Sequence, residues 1–287
     1  METIRTGVVG VGYLGKFHAE KYSRMDGVEL VGVVDPNRQQ ADAVAKNVGA
    51  AAFYDMADLF DRVDAVSIAA PTPLHYEIGK AFLENGIDVL MEKPITRTVE
   101  EADDLIAIAN DRNLILQAGH LERFNPAVVA VREIVSEPLF IESNRLSLYK
   151  KRGTDVSVVL DLMIHDIDII LNFVHSGIRY SHAMGAPVVS DSLDIANAHI
   201  EFENGAVAKV TASRIANKNE RKIRLFQKDG YVSLDFARRS IVHVWPGDGQ
   251  EGALIPGMQI KEIHFTEGDA LEAEIRSFVH SVRTRRT

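Results

Sequence analysis

Three short stretches of the chain carry side chains that could move a proton or stabilise a developing negative charge. They are EKP at residues 92–94, APTPLH at residues 70–75 and DLMIHDID at residues 161–168. Asp161 and His165 are four residues apart, so they lie on one face of a predicted helix. Oxidation of a secondary alcohol needs a base for the hydroxyl proton, and histidine titrates near neutral pH. It also needs a group that holds the alkoxide as it forms, and a lysine ammonium does this electrostatically.

A glycine-rich turn near the N-terminus predicts where a dinucleotide binds. Gly10, Gly12 and Gly15 form a G-x-G-x-x-G pattern that follows a predicted strand and opens a predicted helix. The first glycine permits a tight turn, the second lets a pyrophosphate approach the helix N-terminus, and the third lets helix and strand pack closely. Tyr13 and Leu14 lie within this turn, so we include them in the predicted cofactor site.

Asp35 predicts that the dinucleotide is NAD rather than NADP. It ends the second predicted strand, twenty residues after Gly15, where a carboxylate accepts hydrogen bonds from the adenosine ribose. A 2′-phosphate at this position would meet a negative charge. Arg38 follows closely and could turn toward such a phosphate, so it is also a candidate cofactor residue.

Two of the reactive stretches follow predicted strands of the same sheet. Ligands of open α/β sheets bind beyond the carboxyl ends of the strands. We therefore predict that Pro71, Glu92 and Lys93 lie near the nicotinamide. Thr72 and His75 could contact the nicotinamide ribose or merely cap the helix that begins there.

The helix at 161–168 has other interpretations. A histidine on an apolar helix is more often a core residue with satisfied hydrogen bonds than a catalyst. Asp161, His165 and Asp168 could also bind a metal ion, because carboxylates and imidazole are both metal ligands. We predict no metal site, since a bound dinucleotide would supply the chemistry.

The first 120 residues alternate short apolar strands with longer helices. The predicted strands are residues 4–9, 28–34, 64–69, 87–91 and 114–117, and the predicted helices are residues 13–25, 38–47, 74–84 and 99–110. This alternation indicates right-handed βαβ units and a doubly wound parallel sheet covered by helices on both faces. We assign residues 1–120 to an α/β Rossmann domain that binds NAD.

After Gly119 the pattern changes to that of an α+β domain. Helices are predicted at residues 126–135, at 157–174 and from about 269, and strands dominate residues 178–265, with hairpin signals at 202–205 and 228–230. We assign residues 121–287 to a substrate-binding and oligomerisation domain with a largely antiparallel, open sheet.

The composition excludes several classes of protein. The formal net charge of −9, from 32 basic and 41 acidic residues, argues against nucleic acid or an anionic membrane as the main partner. The absence of cysteine excludes disulfides and thiolate chemistry. No apolar run reaches the roughly 20 residues that span a bilayer, and the first residues do not resemble a signal peptide. We expect a soluble, cytoplasmic protein without a nucleic-acid or membrane partner.

The GVGYLG turn, the EKP and a D-x-x-x-H occur here in the order typical of the glucose–fructose oxidoreductase/inositol dehydrogenase/rhizopine-catabolism (Gfo/Idh/MocA) family, which the whole chain resembles. In that family the lysine of EKP lies near the nicotinamide and the reacting hydroxyl, and the D-x-x-x-H binds substrate and moves protons. The resemblance therefore implies that Lys93, Asp161 and His165 are catalytic and contact substrate. We assign His165 as general base, Lys93 as its electrostatic partner or proton relay, and Asp161 as orienting a hydroxyl. Which of His165 and Lys93 takes the proton stays open.

Two further stretches resemble one branch of this family. They are GHLERFNP at 119–126 and RGTDVS at 152–157, which are similar to the corresponding stretches of the branch that oxidises the 3-hydroxyl of UDP-N-acetylglucosamine to a ketone. In that branch an aminotransferase then converts the ketone to a 3-amino group, which is used in lipid A with amide-linked chains. Arg123, Asn125 and Arg152 are therefore candidate substrate-binding residues, since arginine binds phosphate bidentately. The arginines could equally be solvated surface charge, and Asn125 could simply cap a helix that starts with proline.

Two alternatives to this function remain. One is a dehydrogenase of the same family that acts on a free sugar, inositol or a uronate. The other is a non-catalytic NAD-sensing protein, since a fold does not dictate a function. A sensor needs no acid/base pair, so Lys93, Asp161 and His165 together favour an enzyme.

The last expectations concern assembly. The segment at 207–215 alternates without a fully polar face, and relatives of the family associate through this sheet, so we expect a homodimer or homotetramer. Family members usually carry one more helix after the position of Thr287, so this chain is either short or truncated.

Overall fold

The computed structural model describes residues 3–149, 156–247, 255–266 and 268–286. The chain forms two compact units. The first comprises Met1–Leu121 together with Leu271–Thr287, and the second comprises Glu122–Ala270. The boundary near residue 120 agrees with the sequence analysis, but the final segment groups with the first unit instead of the second.

A six-stranded parallel sheet forms the centre of the first unit. Its strands are β1 (Ile4–Val9), β2 (Val28–Val34), β3 (Ala51–Phe53), β4 (Ala65–Ile68), β5 (Asp88–Glu92) and β6 (Leu116–Gly119). They lie in the order β3-β2-β1-β4-β5-β6, and all neighbours are parallel. The order reverses between β1 and β4, and doubly wound sheets bind their ligands at such a switch point. The predicted fold class is confirmed. Of the six strands in this sheet, the sequence analysis predicts all but the short β3.

Helices cover both faces of this sheet. They are α1 (Gly15–Tyr22), α2 (Arg38–Val48), α3 (His75–Glu84) and α4 (Val99–Asp111). Adjacent strand residues point to opposite faces, so Val8 belongs to the apolar cluster that contains Tyr22 of α1, and Val9 belongs to the one that contains Phe82 of α3.

The C-terminal helix completes the first unit. Helix α7 (Ala270–Thr284) buries Ile275, Phe278, Val279 and Val282 in the same cluster as Val8. The sequence predicts this helix, because its apolar residues recur with helical spacing. It does not predict the surface that the helix covers, since that pairing joins segments far apart in the chain.

An eight-stranded sheet forms the second unit. Its strands are β7 (Phe140–Leu146), β8 (Ile178–Ala186), β9 (Ile195–Phe202), β10 (Val207–Ser213), β11 (Glu220–Gln227), β12 (Gly230–Asp235), β13 (Ser240–Pro246) and β14 (Met258–His264). They lie in the order β14-β13-β12-β11-β7-β10-β9-β8. Neighbours are antiparallel except β7 and β10, which run parallel. The largely antiparallel sheet and both predicted hairpins are confirmed.

One face of this sheet packs against helices α5 (Pro126–Arg132) and α6 (Ile164–Phe173). Ala208, Val210 and Ala212 of β10 lie on this face and are fully buried. The opposite face carries Val207, Lys209 and Thr211, which are half-buried or exposed. Among the described residues, the helices of this unit therefore cover one side of the sheet only.

Candidate active site

The glycine turn has the shape that a dinucleotide cradle requires. Gly10 has φ of 81°, and a Cβ there would lie 2.6 Å from the backbone nitrogen of Ala70. A Cβ on Gly15 would lie 1.9 Å from the carbonyl oxygen of Gly10, so close packing excludes a side chain. At Gly12 a Cβ would come within 4 Å only of the Gln40 side chain. The backbone at Gly12 is therefore open to a ligand, as the sequence predicts.

Helix α1 begins at Gly15 without a side-chain cap from its N-cap residue. Leu14 is the N-cap residue and makes no side-chain cap hydrogen bond. Tyr13 and Leu14 are 60% and 37% exposed. The first N–H groups of a helix lack intrahelical partners and attract anions, so this terminus suits a pyrophosphate.

The Asp35 carboxylate and the Gln40 side chain both hydrogen-bond to the backbone of Val11 in the glycine turn. Oδ2 of Asp35 accepts a hydrogen bond of 3.0 Å from the backbone N–H of Val11, and Oδ1 accepts one of 2.9 Å from Asn37. Nε2 of Gln40 donates to the carbonyl oxygen of Val11 at 2.6 Å. Each carboxylate oxygen accepts about two hydrogen bonds, so Asp35 keeps acceptor capacity for ribose hydroxyls.

Arg38 has a partner of its own in the first unit. Its guanidinium carbon lies 4.0 Å from the ring centre of Tyr54, which is a cation–π contact. The Tyr54 hydroxyl donates to Asp42 at 2.7 Å. Arg38 is exposed at the start of α2 and lies two residues after the Pro36 that ends the strand. Stacking on Tyr54 gives it a role that needs no cofactor phosphate.

Glu92 points into the first unit and contacts a histidine of α1. Nε2 of His18 lies 3.0 Å from Oε1 of Glu92, and the two side chains are 1% and 10% exposed. The residues are 74 positions apart in the chain. The predicted direct contact of Glu92 with cofactor therefore competes with a buried contact to protein.

His75 is buried and lies between two backbone carbonyls. Its Nδ1 lies 2.8 Å from the carbonyl oxygen of Pro94, and its Nε2 lies 2.7 Å from that of Ala70. A neutral ring can donate to one of these oxygens and a protonated ring to both. Neither Thr72 nor His75 caps α3, which makes no side-chain cap hydrogen bond. Both ring nitrogens thus face backbone carbonyl oxygens.

Lys93 follows the last residue of β5 and is half-buried. It begins the turn that leads to α4, and its peptide bond to Pro94 is cis. Pro71, which follows the neighbouring β4, is exposed. Parallel strands end at one edge of a sheet, so these residues share the edge that carries the glycine turn, as predicted.

Asp161 and His165 lie on a helix that is not regular. The segment Val159–Met163 is a π-helix, and α6 follows directly. The N–H of Ile164 bonds to the carbonyl of Val159, five residues earlier. The helix predicted for 157–174 is present, but its first turn is a π-helix. Single π-turns within helices often occur at functional sites, and Asp161 lies within this one.

The acidic residues that follow His165 are paired with arginines of the second unit. Nη2 of Arg145 donates to Oδ1 of Asp166 at 2.7 Å, and Nη1 donates to Glu122 at 3.1 Å. Burial alone would lower the pKa of Arg145, but the carboxylates of Asp166 and Glu122 raise it, so the arginine stays charged. These contacts tie α6 to β7 and to the segment before α5.

Arg123 and Asp168 form a second pair. Nε of Arg123 donates to Oδ2 of Asp168 at 2.8 Å, and the same guanidinium also contacts Oδ1. Asp168 therefore has an arginine partner. Among residues 3–149, 156–247, 255–266 and 268–286, no group of three or more His, Asp or Glu side chains is arranged to hold a metal ion.

The other predicted substrate residues have different outcomes. Asn125 is the N-cap of α5, because its Oδ1 accepts from the N–H of Ala127 at 3.1 Å. It is 7% exposed, so the capping alternative accounts for it. Arg152 lies outside the described residues.

Within the described part of the chain, no helix combines the length and apolarity that a membrane crossing requires.

Comparisons with known proteins agree with this geometry. A model of an oxidoreductase family with an NAD-binding Rossmann fold matches residues 4–120, and a model of the GFO/IDH/MocA C-terminal domain matches residues 135–233. UDP-N-acetylglucosamine 3-dehydrogenase of Acidithiobacillus ferrooxidans is 37% identical over 284 residues, which cover 99% of this chain and 90% of that protein. The chain belongs to the Gfo/Idh/MocA family. It is accordingly an oxidoreductase.

Solved structures of Gfo/Idh/MocA proteins share the fold. A structure of the Acidithiobacillus ferrooxidans enzyme has a TM-score of 0.94 at 38% identity and covers 100% of this chain and 91% of its own. Scyllo-inositol dehydrogenase from Lactobacillus casei, solved with NAD(H) and scyllo-inositol, has a TM-score of 0.78 at 22% identity, with coverage of 99% and 90%. The second likeness shows the fold alone.

Three residues at the site of this Gfo/Idh/MocA chain escape the sequence analysis. They are His18, Gln40 and Arg145, which contact Glu92, Val11 and Asp166. Each lies on a regular element without a recognised motif, and its partner is between 21 and 74 residues away. No local pattern signals such pairs, because they form only when the fold brings distant segments together.

Proposed function

We propose that the protein oxidises the 3-hydroxyl of UDP-N-acetylglucosamine with NAD and releases the 3-keto sugar. The observation that carries this proposal is 37% identity, over 99% of the chain, to an enzyme named for that reaction. Lys93, Asp161 and His165 support it, because an acid/base set of this kind serves alcohol oxidation and has no use in passive binding.

The glycine turn and Asp35 are the residues that would hold NAD. The open backbone at Gly12 and the uncapped N-terminus of α1 fit a pyrophosphate. The negative charge of Asp35 fits a ribose with both hydroxyls and disfavours a 2′-phosphate, so we propose NAD over NADP. When bound, NAD accepts the hydride that leaves the carbinol carbon.

The protein's own residues handle the proton. In the proposal, His165 takes the proton of the 3-hydroxyl and Asp161 orients that hydroxyl. The Lys93 ammonium stabilises the alkoxide as it forms or passes the proton on. We assign the substrate diphosphate to Arg123 and Arg152. The pairing of Arg123 with Asp168 would hold its guanidinium in one orientation.

The proposed product has a defined place in a reaction sequence. A ketone on a sugar ring is the group that an aminotransferase converts to an amine. We therefore propose that the 3-keto sugar is consumed by an aminotransferase, in the route to lipid A with amide-linked chains. The cytoplasm is the proposed compartment for a cysteine-free chain of this kind.

The test uses the purified full chain with NAD and UDP-N-acetylglucosamine. Absorbance of the reduced nicotinamide is followed with and without an aminotransferase that traps the ketone, and parallel assays use free N-acetylglucosamine, UDP-glucose and inositols. We expect turnover with the UDP-amino sugar that increases when the ketone is trapped. The Lys93→Met and His165→Ala variants should lose roughly 10²- to 10⁴-fold in kcat, the usual contribution of an acid/base residue.

Three outcomes would change the assignment. Turnover with an inositol or a free sugar, but not with the UDP-amino sugar, would move the protein to another branch of its family. Full activity of both variants would overturn the acid/base assignment. NAD binding without turnover on any of these substrates would favour the sensor alternative.

A further inference from the structure

The two residues that flank Lys93 are each contacted by a buried histidine. On one side Nε2 of His18 lies 3.0 Å from the Glu92 carboxylate. On the other side Nδ1 of His75 lies 2.8 Å from the carbonyl oxygen of Pro94. Both histidines are 1% exposed. The Glu92 side chain and the Pro94 carbonyl are thus each contacted from a different helix of the first unit.

The contact from His18 has an unusual cost. Nδ1 of His18 is buried, and the described residues offer it no hydrogen-bond partner. Burying a polar atom without a partner is unfavourable, so such groups are uncommon in native structures. A leucine at this position on the apolar side of α1 would avoid the cost. The fold keeps the imidazole where its other nitrogen reaches Glu92.

The position of His18 also relates Lys93 to the cofactor cradle. His18 lies three residues after Gly15, within the first turn of the helix whose N-terminus suits a pyrophosphate. One short helix therefore carries both the cradle and the group that contacts Glu92. His75 begins the helix that follows Pro71 and Thr72, and its second nitrogen contacts Ala70 at the end of the neighbouring strand.

We propose that His18 and His75 are positioning residues for Lys93. His18 holds the Glu92 side chain and His75 holds the Pro94 carbonyl, so both neighbours of Lys93 are restrained and the ammonium projects from a defined position. This inference rests on the catalytic role proposed for Lys93. It assigns no chemical step to either histidine, and it explains why Glu92 of the EKP faces the interior of the first unit.

The first test needs neither cofactor nor substrate. Amide hydrogen exchange of the full chain is measured on a peptide that covers residues 88–97, in the wild type and in His18→Leu and His75→Leu. Local opening governs such exchange, and we expect the peptide to exchange at least about tenfold faster in each variant. Unchanged exchange in both variants would overturn the proposal.

The matched control is Tyr22→Phe. Tyr22 lies one helical turn after His18 on α1, is fully buried, and its hydroxyl lies 2.8 Å from the Ser67 hydroxyl. This variant therefore removes one buried hydrogen bond from the same helix without touching the neighbours of Lys93. We expect it to lower the unfolding midpoint but to leave exchange at 88–97 unchanged. Equal acceleration in the control would show general loosening and would also overturn the proposal.

Kinetics separate positioning from a merely structural role. In His18→Leu we expect kcat to fall about 10- to 100-fold, as for a catalytic group displaced by about an ångström, with KM for NAD within about twofold of the wild type. His18→Gln keeps an N–H donor and should recover most of the kcat. Loss confined to KM, or no recovery in His18→Gln, would contradict the inference.

Lys93→Met, assayed in parallel, distinguishes a failure of the catalytic role proposed for Lys93 from a failure of the positioning role proposed for the histidines. If this variant keeps its activity, the proposed role of Lys93 fails, whatever the histidine variants do. If it is inactive while His18→Leu and His75→Leu match the wild type in kcat and in exchange, only the positioning proposal fails.

Discussion

At the scale of single residues, Asp35 has two roles, and the sequence predicts only one of them. Its position after β2 predicts a ribose contact. The structure adds that its carboxylate accepts hydrogen bonds from the backbone N–H groups of Val11 and Asn37. Asp35 therefore shapes the glycine turn as well as carrying the charge that discriminates between cofactors. A substitution there should affect both cofactors, but to different extents.

We predict that Asp35→Ala weakens NADH binding more than NADPH binding. Loss of the turn anchor weakens the binding of both cofactors. Loss of the carboxylate also removes a hydrogen-bond acceptor for the 2′-hydroxyl of NADH, whereas for NADPH it removes a repulsion of the 2′-phosphate. A hydrogen bond to a charged group contributes about 1.5–3 kcal/mol, so the ratio of the two Kd values should shift roughly 10- to 150-fold. Fluorescence titration with each reduced cofactor measures the shift.

The matched control for this prediction is Asp35→Asn. Asparagine keeps an acceptor oxygen for Val11 but removes the negative charge, so NADPH binding should improve relative to the wild type. Losses of equal size for both cofactors in Asp35→Ala would limit Asp35 to anchoring the turn.

Sequence reasoning at this scale succeeds where a role depends on local chemistry. Gly10 and Gly15 lie where a Cβ cannot fit, and the pattern itself encodes that requirement. It does not find partners that lie far away in the chain. The sequence singles out Arg123 as a candidate phosphate ligand, but it does not show that Asp168, 45 residues away, accepts hydrogen bonds from the Arg123 guanidinium. Position in the chain does not reveal which acidic group an arginine will meet.

At the scale of elements, buried charge explains how the helix with Asp161 and His165 is held. Arg145 projects from β7 toward α6 and pairs with Asp166 and Glu122. Removing one partner of a buried ion pair is strongly destabilising, because the other charge stays buried without compensation. The apolar period of 157–174 predicts a helix, but hydrophobic spacing cannot predict that its first turn is a π-helix.

The loop between β8 and β9 is also organised by a charged side chain, the carboxylate of Asp194. Oδ2 of Asp194 accepts hydrogen bonds from the N–H groups of Val188, Val189 and Ser190, at 2.7–2.9 Å. Burial alone would raise the pKa of Asp194, but these hydrogen bonds and the Ser190 hydroxyl lower it well below its usual value. The loop is therefore organised around an ionised carboxylate.

We predict that Asp194 makes stability depend on pH on the acid side. Its folded pKa is lowered, so its contribution is fully present above the unfolded value near about 4 and is lost as pH falls further. Asp194→Asn should lower the unfolding midpoint at neutral pH and show a weaker decline of stability below about pH 5. Urea unfolding of both proteins between neutral and acid pH measures this.

The exposed Asp191 of the same loop provides the control. Asp191→Asn changes the net charge by the same amount, so it corrects for general electrostatics. We expect its acid profile to follow the wild type. An Asp194→Asn profile that is parallel to the wild type would show that the loop does not depend on ionised Asp194.

At the scale of the whole molecule, the chain leaves the first unit after Leu121 and returns to it at Leu271. The sequence signals the first crossing, because the βαβ pattern ends there. It does not signal the return, because α7 is an ordinary amphipathic helix. The first unit is therefore built from two separated segments, and removing α7 would expose Tyr22 and its apolar neighbours on the parallel sheet.

The uncovered face of the eight-stranded sheet is the surface on which we base the expected association. Phe140, Phe226 and Tyr231 form an aromatic row there, with ring centres 6.0 and 5.2 Å apart. Glu142 and Arg224 pair beside the row at 2.7 Å. An apolar row with charged neighbours is typical of an interface between protein chains. We propose a second copy of this chain as the partner.

We predict that the wild-type protein is a dimer or tetramer and that Phe226→Glu weakens this association. The substitution places a charge in the aromatic row, where burial against a second copy would leave it without a partner. Light scattering coupled to gel filtration at micromolar concentration should show a mass of 31.7 kDa for the variant and a multiple of it for the wild type. Ile106→Glu, at a site 44% exposed on α4 of the first unit, places the same charge on a helix that is not part of this sheet and should keep the wild-type mass. A monomeric wild type would refute the association, and an unchanged mass for Phe226→Glu would move the interface to another surface.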